Sequence, residues 1–192
     1  AQSGIKAADA ASAMLRANGN DVVKVQPVNG TLTDHYDPRN ETLGLSKGVY
    51  QSTSIAALGI AAHEAGHAMQ KKEGHAMLGL RNAIVPVVNF GSRLSMPIFV
   101  LGLIMALKPL VTVGIALFSL TVAFTLITLP VEFDASRRAI AMLNAGGFIT
   151  REEEAGVRKV LNAAALTYVA AALNAILQLA RLVLLARGRD RD

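Results

Sequence analysis

The chain of 192 residues contains no cysteine and no tryptophan, and only 5% of it is aromatic. Without thiols there is no disulfide framework, no cysteine zinc site and no thiol nucleophile, so any metal must be held by His, Asp and Glu. Charge is also scarce. Ionisable Asp, Glu, Lys and Arg make up 17% of the residues, against the roughly 25% of an ordinary soluble domain. The deficit lies mainly after Arg81, in the stretches Ser92 to Val131 and Val160 to Ala186, and it argues against a wholly soluble protein. A mean hydropathy of +0.39 excludes a disordered, solvating chain. The length suits one compact unit, or a small domain with a membrane part.

What charge there is has a formal excess of +5. Basic residues do not cluster with aromatics, which excludes a nucleic-acid reading. They flank apolar stretches instead, where they face lipid headgroups. No signal peptide is read at the start of the chain, which lacks a basic segment followed by an apolar one.

A helical spacing from Ser3 through Ile5, Ala8, Ala11 or Ser12, and Leu15 predicts a short amphipathic helix, capped by Ser3 and closed at Asn18 and Gly19. Asp21 to Gln26 and Glu41 to Leu45 read as short strands, with a turn at Pro27 to Gly30, giving a small β-hairpin or edge sheet. Leu32 to Asn40 between them reads as a polar loop rich in reactive side chains. Ile55 to Lys72, capped by Ser52 or Ser54, reads as one buried helix. Three apolar spans follow: about Asn82 to Leu107, Leu110 to Val131 after a Lys108-Pro109 turn, and Val160 to Ala186. The second has no charge over 22 positions, enough to cross about 30 Å of hydrocarbon. A soluble bundle of this size has no partner surface to bury three such helices. Arg93, near the middle of the first span, either meets a partner carboxylate or snorkels.

The expected architecture is therefore a mainly α membrane protein. Residues 1–80 form a membrane-proximal zincin-like part with the small sheet, and 81–131 a transmembrane hairpin. Residues 132–159 carry a second metal-ligand helix with an amphipathic segment, and 160–192 a third transmembrane helix with a polar tail.

Within the Ile55 to Lys72 helix stands His63-Glu64-Ala65-Gly66-His67. The two His lie one turn apart on one face and can bind one ion, while Glu64 is rotated by about 100° and can act on a water at that ion. A chance match from this composition is on the order of 0.003. Two imidazoles and a carboxylate on an apolar helix would also be expensive to bury without a metal. A catalytic zinc needs a third protein ligand. Glu132, the first ionisable group after the second span, is the leading candidate and Asp134 the next. The blander alternative for Glu132 is an interfacial ion pair with Arg137 or Arg138. His35, Tyr36, Asp134 and Arg137 are candidates for substrate contact, oxyanion donation or support of the ligands, His35 and Tyr36 because an edge strand beside a zinc helix can align a peptide. His75, beyond the helix end, reads as a surface residue.

The stretches Leu32 to Ser46, Val49 to Gln70 and Leu129 to Leu143, in this order and spacing, resemble the bacterial neutral zinc metallopeptidases of the YugP-like family over nearly the whole chain. More distantly, the chain is similar to the HtpX-like and CAAX-processing membrane zinc proteases. The resemblance implies a membrane-embedded metallopeptidase with one zinc, His63, His67 and Glu132 as ligands, and Glu64 as catalytic base. It also implies a transmembrane helix preceding Ala1. In the distant relatives an Asp follows the ligand Glu by four residues and clamps a zinc-bound His. Here that position is Ser136, so no carboxylate clamp is expected there, and Asp134 is the substitute.

The leading functional expectation is an integral-membrane zinc endopeptidase that hydrolyses membrane or membrane-proximal polypeptides. The alternative is a catalytically silent membrane scaffold or adaptor with a structural zinc site, against which the presence of Glu64 argues. A transport role would want more polar residues along the spans than Asn89, Arg93, Asn174 and Gln178. The expected partners are a polypeptide substrate, the lipid bilayer, and a second copy or another membrane protein. Lys71, Lys72, Arg81, Arg137, Arg138, Arg151, Arg158 and Lys159 outnumber Lys108 and the terminal arginines, placing the active site on the cytoplasmic face of a multi-pass cell-membrane protein.

Overall fold

The computed structural model describes residues 1–189; the last three residues of the expected polar tail lie outside them. In chain order the elements are α1 (Ala7–Ala17), β1 (Lys24–Val28), β2 (His35–Asp37), β3 (Thr42–Ser46), α2 (Lys47–Tyr50), α3 (Ile55–Lys72), α4 (Ala76–Ile104), α5 (Lys108–Ala145) and α6 (Arg151–Arg189). The protein is mainly α with one small sheet, and α4, α5 and α6 are long and apolar enough to cross a membrane. The chain divides into two compact units. One comprises Ala1–Leu78 with Val131–Ala165, the other Gly79–Pro130 with the rest of α6.

In the first unit, α1 forms where the apolar spacing predicts it, burying Ala7, Ala11, Met14 and Leu15. Ser3 does not cap it. Its hydroxyl donates to the Phe148 carbonyl instead, and the N-cap is Lys6 with no side-chain bond. The sheet has the order β1-β3-β2, with β1 parallel and β2 antiparallel to the central β3. The two expected strands are thus parallel neighbours, and the hairpin is made by β2, which arises inside the stretch read as a loop. Pro27 belongs to β1 and not to a turn, which a strand at the sheet edge tolerates because one side of its backbone needs no ladder bond.

Helix α3 is capped by the Ser54 hydroxyl, which accepts from the Ala57 N–H at 3.1 Å. At its far end Lys72 donates to the carbonyls of Asn18 and Gly19, tying α3 to the close of α1. Ala57, Leu58, Ala61, Ala62, Ala65 and Ala68 are all buried. Such small side chains let other elements approach closely. A Cβ on Gly66 would lie 2.6 Å from the Ala135 carbonyl oxygen of α5, and one on Gly59 would lie 3.2 Å from Val157 of α6. Val131, Ala135, Ala139 and Leu143, spaced by four along α5, are fully buried and complete this core.

In the second unit, α4 and α5 form the apolar hairpin. Its turn is Met105 to Leu107, with Ala106 in the left-handed region at φ 55°. Lys108 and Pro109 are not the turn but the first residues of α5, where a proline is tolerated because its missing N–H would have no helical partner. The hairpin closes tightly: a Cβ on Gly114 would meet Phe99 at 2.7 Å. Helix α5 continues through Pro130, so the second apolar span and the segment carrying Glu132 are one helix, and α6 likewise joins the acidic start Glu152 to Glu154 to the third span.

Candidate metal centre

His63 and His67 sit on successive turns of α3 with ring centroids 4.8 Å apart and rings nearly perpendicular. The Gly66–Ala135 contact brings α5 against this face, and Glu132 lies one turn before Ala135. Its carboxylate reaches both rings: Oε2 is 2.8 Å from His63 Nε2, and Oε1 is 3.5 Å from His67 Nε2. One donor atom from each of the three residues lies within 4.8 Å of the others. Two donors of a tetrahedral zinc, each about 2 Å from the ion, stand about 3.3 Å apart, so the two carboxylate distances suit such an ion.

The remaining imidazole nitrogens are already engaged. His67 Nδ1 is 2.9 Å from Gln70 Oε1, while Gln70 Nε2 donates to the Val131 carbonyl at 2.8 Å and to Asp134 at 2.9 Å. Both of those partners can only accept, which fixes the Gln70 amide with its oxygen toward His67. His67 must then carry its proton on Nδ1 and present the Nε2 lone pair to the site. His63 Nδ1 is 3.0 Å from the Ser136 hydroxyl, which can accept in the same way. Metal-binding histidines are oriented by such bonds from the nitrogen that does not bind the ion. Burial disfavours a charged His67, yet the Glu132 and Glu64 carboxylates outweigh this and raise its pKa above the ordinary imidazole value. The pocket therefore favours a cation. The donor set, its tautomers and its electrostatics all fit a divalent metal.

Glu64 is partly buried beside these donors and takes no hydrogen bond from the described residues. Asp134 does not face the donors. It stands behind His67, holding Gln70 on one side and Arg137 and Arg138 on the other, with His75 Nε2 at 3.5 Å. Arg137 projects into solvent from that pair. His35 is exposed at the start of β2 and donates from Nδ1 to the Thr33 carbonyl at 2.8 Å. The Tyr36 hydroxyl is committed to Glu41 at 2.5 Å, and burial together with that carboxylate raises its pKa. Among the described residues only His63, His67 and Glu132 group as metal donors.

Sequence reasoning missed Gln70 and the hydroxyl role of Ser136. Ser136 does supply a partner for His63, as a hydroxyl where a carboxylate was sought. Gln70 follows His67 by three residues, and an amide one turn on from a candidate donor histidine in an apolar helix was the available signal.

A mainly α membrane protein with a largely buried His-His-Glu cluster and one small three-stranded sheet is the class these features define. Residues 1–187 match the family described as "Putative neutral zinc metallopeptidase", and the chain belongs to that family. It is similar to the "Putative membrane protease YugP" of Bacillus subtilis (strain 168), 49% identical over 193 residues that cover 100% of this chain and 86% of the relative. No solved structure matches the chain.

Proposed function

We propose that the protein is a membrane zinc endopeptidase acting on membrane or membrane-proximal polypeptides, with His63, His67 and Glu132 holding one zinc and Glu64 as general base. The observation that carries this is the convergence of three donor atoms within 4.8 Å while both imidazole Nδ1 atoms are already bonded elsewhere. Zinc bound there would supply Lewis acidity, making water a better nucleophile near neutral pH and polarising a peptide carbonyl.

The chain's own residues would do the rest. Glu64, one residue past His63 and rotated by about 100° from it, accepts the proton of the attacking water and returns it to the leaving amine. Strand β2 is the free edge of the sheet and touches α3, so an extended substrate can add to it by main-chain hydrogen bonds. His35, exposed on that strand, is placed to contact such a peptide. Asp134 and Arg137 serve as support, Asp134 through Gln70. The excess of Lys and Arg flanking this end of the spans favours a cytoplasmic active site.

The test is elemental analysis and peptide hydrolysis on detergent-purified protein. The expected result is one zinc per chain, lost in Glu132→Ala and kept in Glu64→Gln, with hydrolysis lost in both. Zinc retained in Glu132→Ala would reject the ligand set, and hydrolysis retained in Glu64→Gln would reject the base.

A further inference from the structure

Asn82, Pro86, Asn89 and Arg93 are spaced by four, three and four along α4 and are all exposed. At 100° per residue they share one face. Val88, Gly91, Ser95, Phe99 and Gly102, the buried positions of the same stretch, share the opposite one. A membrane helix normally turns its polar residues inward and its apolar residues to lipid. Here α4 turns Asn82, Asn89 and Arg93 outward, on the same side as the exposed Val100 and Ile104.

The stripe also has unmet hydrogen-bonding capacity. Pro86 has no N–H to offer the Asn82 carbonyl, and Pro97 has none for the Arg93 carbonyl. Arg93 itself makes no hydrogen bond or ion pair with the described residues. It stands midway along the span, about 18 Å along the axis from Arg81 and about 16 Å from Ile104 at 1.5 Å per residue. Its side chain covers less than half that distance, so reaching the headgroups by snorkelling alone does not solvate it well.

We infer that this face of α4 docks a transmembrane helix of a different protein, one that carries a carboxylate at mid-membrane depth to pair with Arg93. Charge complementarity selects the acidic residue. The spans α4, α5 and α6 do not supply it themselves, because residues 79–131 and 160–186 contain no Asp or Glu. Asn89 and Asn82, about one and three turns toward the N-terminal end, offer amides to the backbone or polar side chains of the same helix. The inference rests on the membrane character of α4 and not on peptidase chemistry.

The test places the full chain in phosphatidylcholine vesicles with a labelled 23-residue leucine-alanine transmembrane peptide carrying one central Glu, or Gln in its place, and reads association by energy transfer. The Glu peptide should associate about tenfold more tightly than the Gln peptide. Arg93→Leu should erase the preference, and Arg93→Glu should transfer it to a peptide with a central Lys. Both variants change an exposed position, and unchanged helix content and zinc content report that they have folded. Equal binding of the Glu and Gln peptides to the unaltered chain, or a preference that survives Arg93→Leu, would overturn the inference. Self-association lost in Arg93→Leu without any peptide preference would overturn it in favour of a second copy. Arg93-dependent enrichment of phosphatidylglycerol around the chain, again without peptide preference, would overturn it in favour of a lipid phosphate.

Discussion

Helix α3 and the spans of the second unit are built from the same kinds of residue yet keep them in different surroundings. In α3, eleven of eighteen residues are buried inside the protein. In the most apolar stretches of α4, α5 and α6, only 28%, 11% and 17% of the residues are buried. Large side chains such as Phe90, Ile104, Leu166, Leu177 and Leu184 stand out from these helices, each more than 60% exposed. For α3 the chain supplies its own apolar environment. For the spans it supplies almost none, and the bilayer must. The difference is visible within single helices: α5 is poorly covered up to Pro130 and then buries Val131, Ala135, Ala139 and Leu143 completely. Apolar composition identifies a segment that avoids water, and only the packing says whether protein or lipid replaces it.

Paired substitutions test that contrast most directly. Leu58→Ala, at a fully buried position of α3, should lower stability by about 2–5 kcal/mol, whereas Leu177→Ala, 68% exposed on α6, should cost little in a detergent-solubilised thermal melt. Leu177→Asp reverses the order: on a wet surface it would be harmless, but in a bilayer it should reduce insertion by about 2.5–3.5 kcal/mol, read as the fraction integrated into membranes. Full integration of Leu177→Asp would break the comparison, since α6 would then need no lipid.

The glycines give a second, somewhat smaller contrast. Gly66→Ala places a methyl 2.6 Å from the rigid Ala135 carbonyl, which should cost about 1–3 kcal/mol and push α5, with Glu132, away from the histidines. Gly79→Ala, with open space around it, should change stability by less than about 1 kcal/mol. Zinc content measured alongside the melts separates the two, being reduced only in Gly66→Ala. If Gly66→Ala binds zinc as the parent does, close α3–α5 approach is not what sets the site.

Smaller again are effects on the ligands' supports. Gln70→Leu removes the acceptor that orients His67 and the amide that links it to Asp134, and should weaken zinc binding about 10–100-fold. Ser136→Ala should weaken it less, since His63 is more exposed than His67 and water can replace the hydroxyl. Competition with a chromogenic chelator measures both; equal affinities in Gln70→Leu and the parent would exclude the tautomer argument.

The legibility of this protein in its sequence follows the range of the interactions involved. His63, Glu64 and His67 declare themselves because their geometry is set by one helix. The three spans are equally plain, since a run of apolar residues needs no partner to be recognised. Glu132 stands out by its place at the end of an uncharged span, although what brings it beside the histidines is the Gly66–Ala135 contact, a close approach between residues far apart in the chain. Strand β2 was hidden because three residues in a polar stretch carry no alternation of their own and are strand only by pairing with Gly44, Leu43 and Thr42. Gln70 was hidden because its partners, His67, Val131 and Asp134, come from two helices.

The least of the expected effects lies where β2 and α3 are clamped together. Lys71 reaches from α3 to the Pro38 carbonyl and to Glu41, which also accepts from Tyr36. The Lys71 ammonium first, and then the Tyr36 hydroxyl, hold the Glu41 carboxyl below its usual range. A carboxylate with a folded pKa below its unfolded value stabilises the fold above the unfolded value, and that contribution is lost as pH falls through the folded one. Stability should therefore drop on acidification below about pH 4.5, the ordinary value for this Glu, by no more than about 1 kcal/mol because the pair is partly solvated. Lys71→Met should remove this component and leave the apolar spans untouched, as hydrogen exchange resolved along the chain would show. Protection lost in β2 and the start of β3 at low pH in the parent, and already reduced at neutral pH in Lys71→Met, is the expected pattern. Acid sensitivity of those strands that is the same in both proteins would locate the titrating group elsewhere.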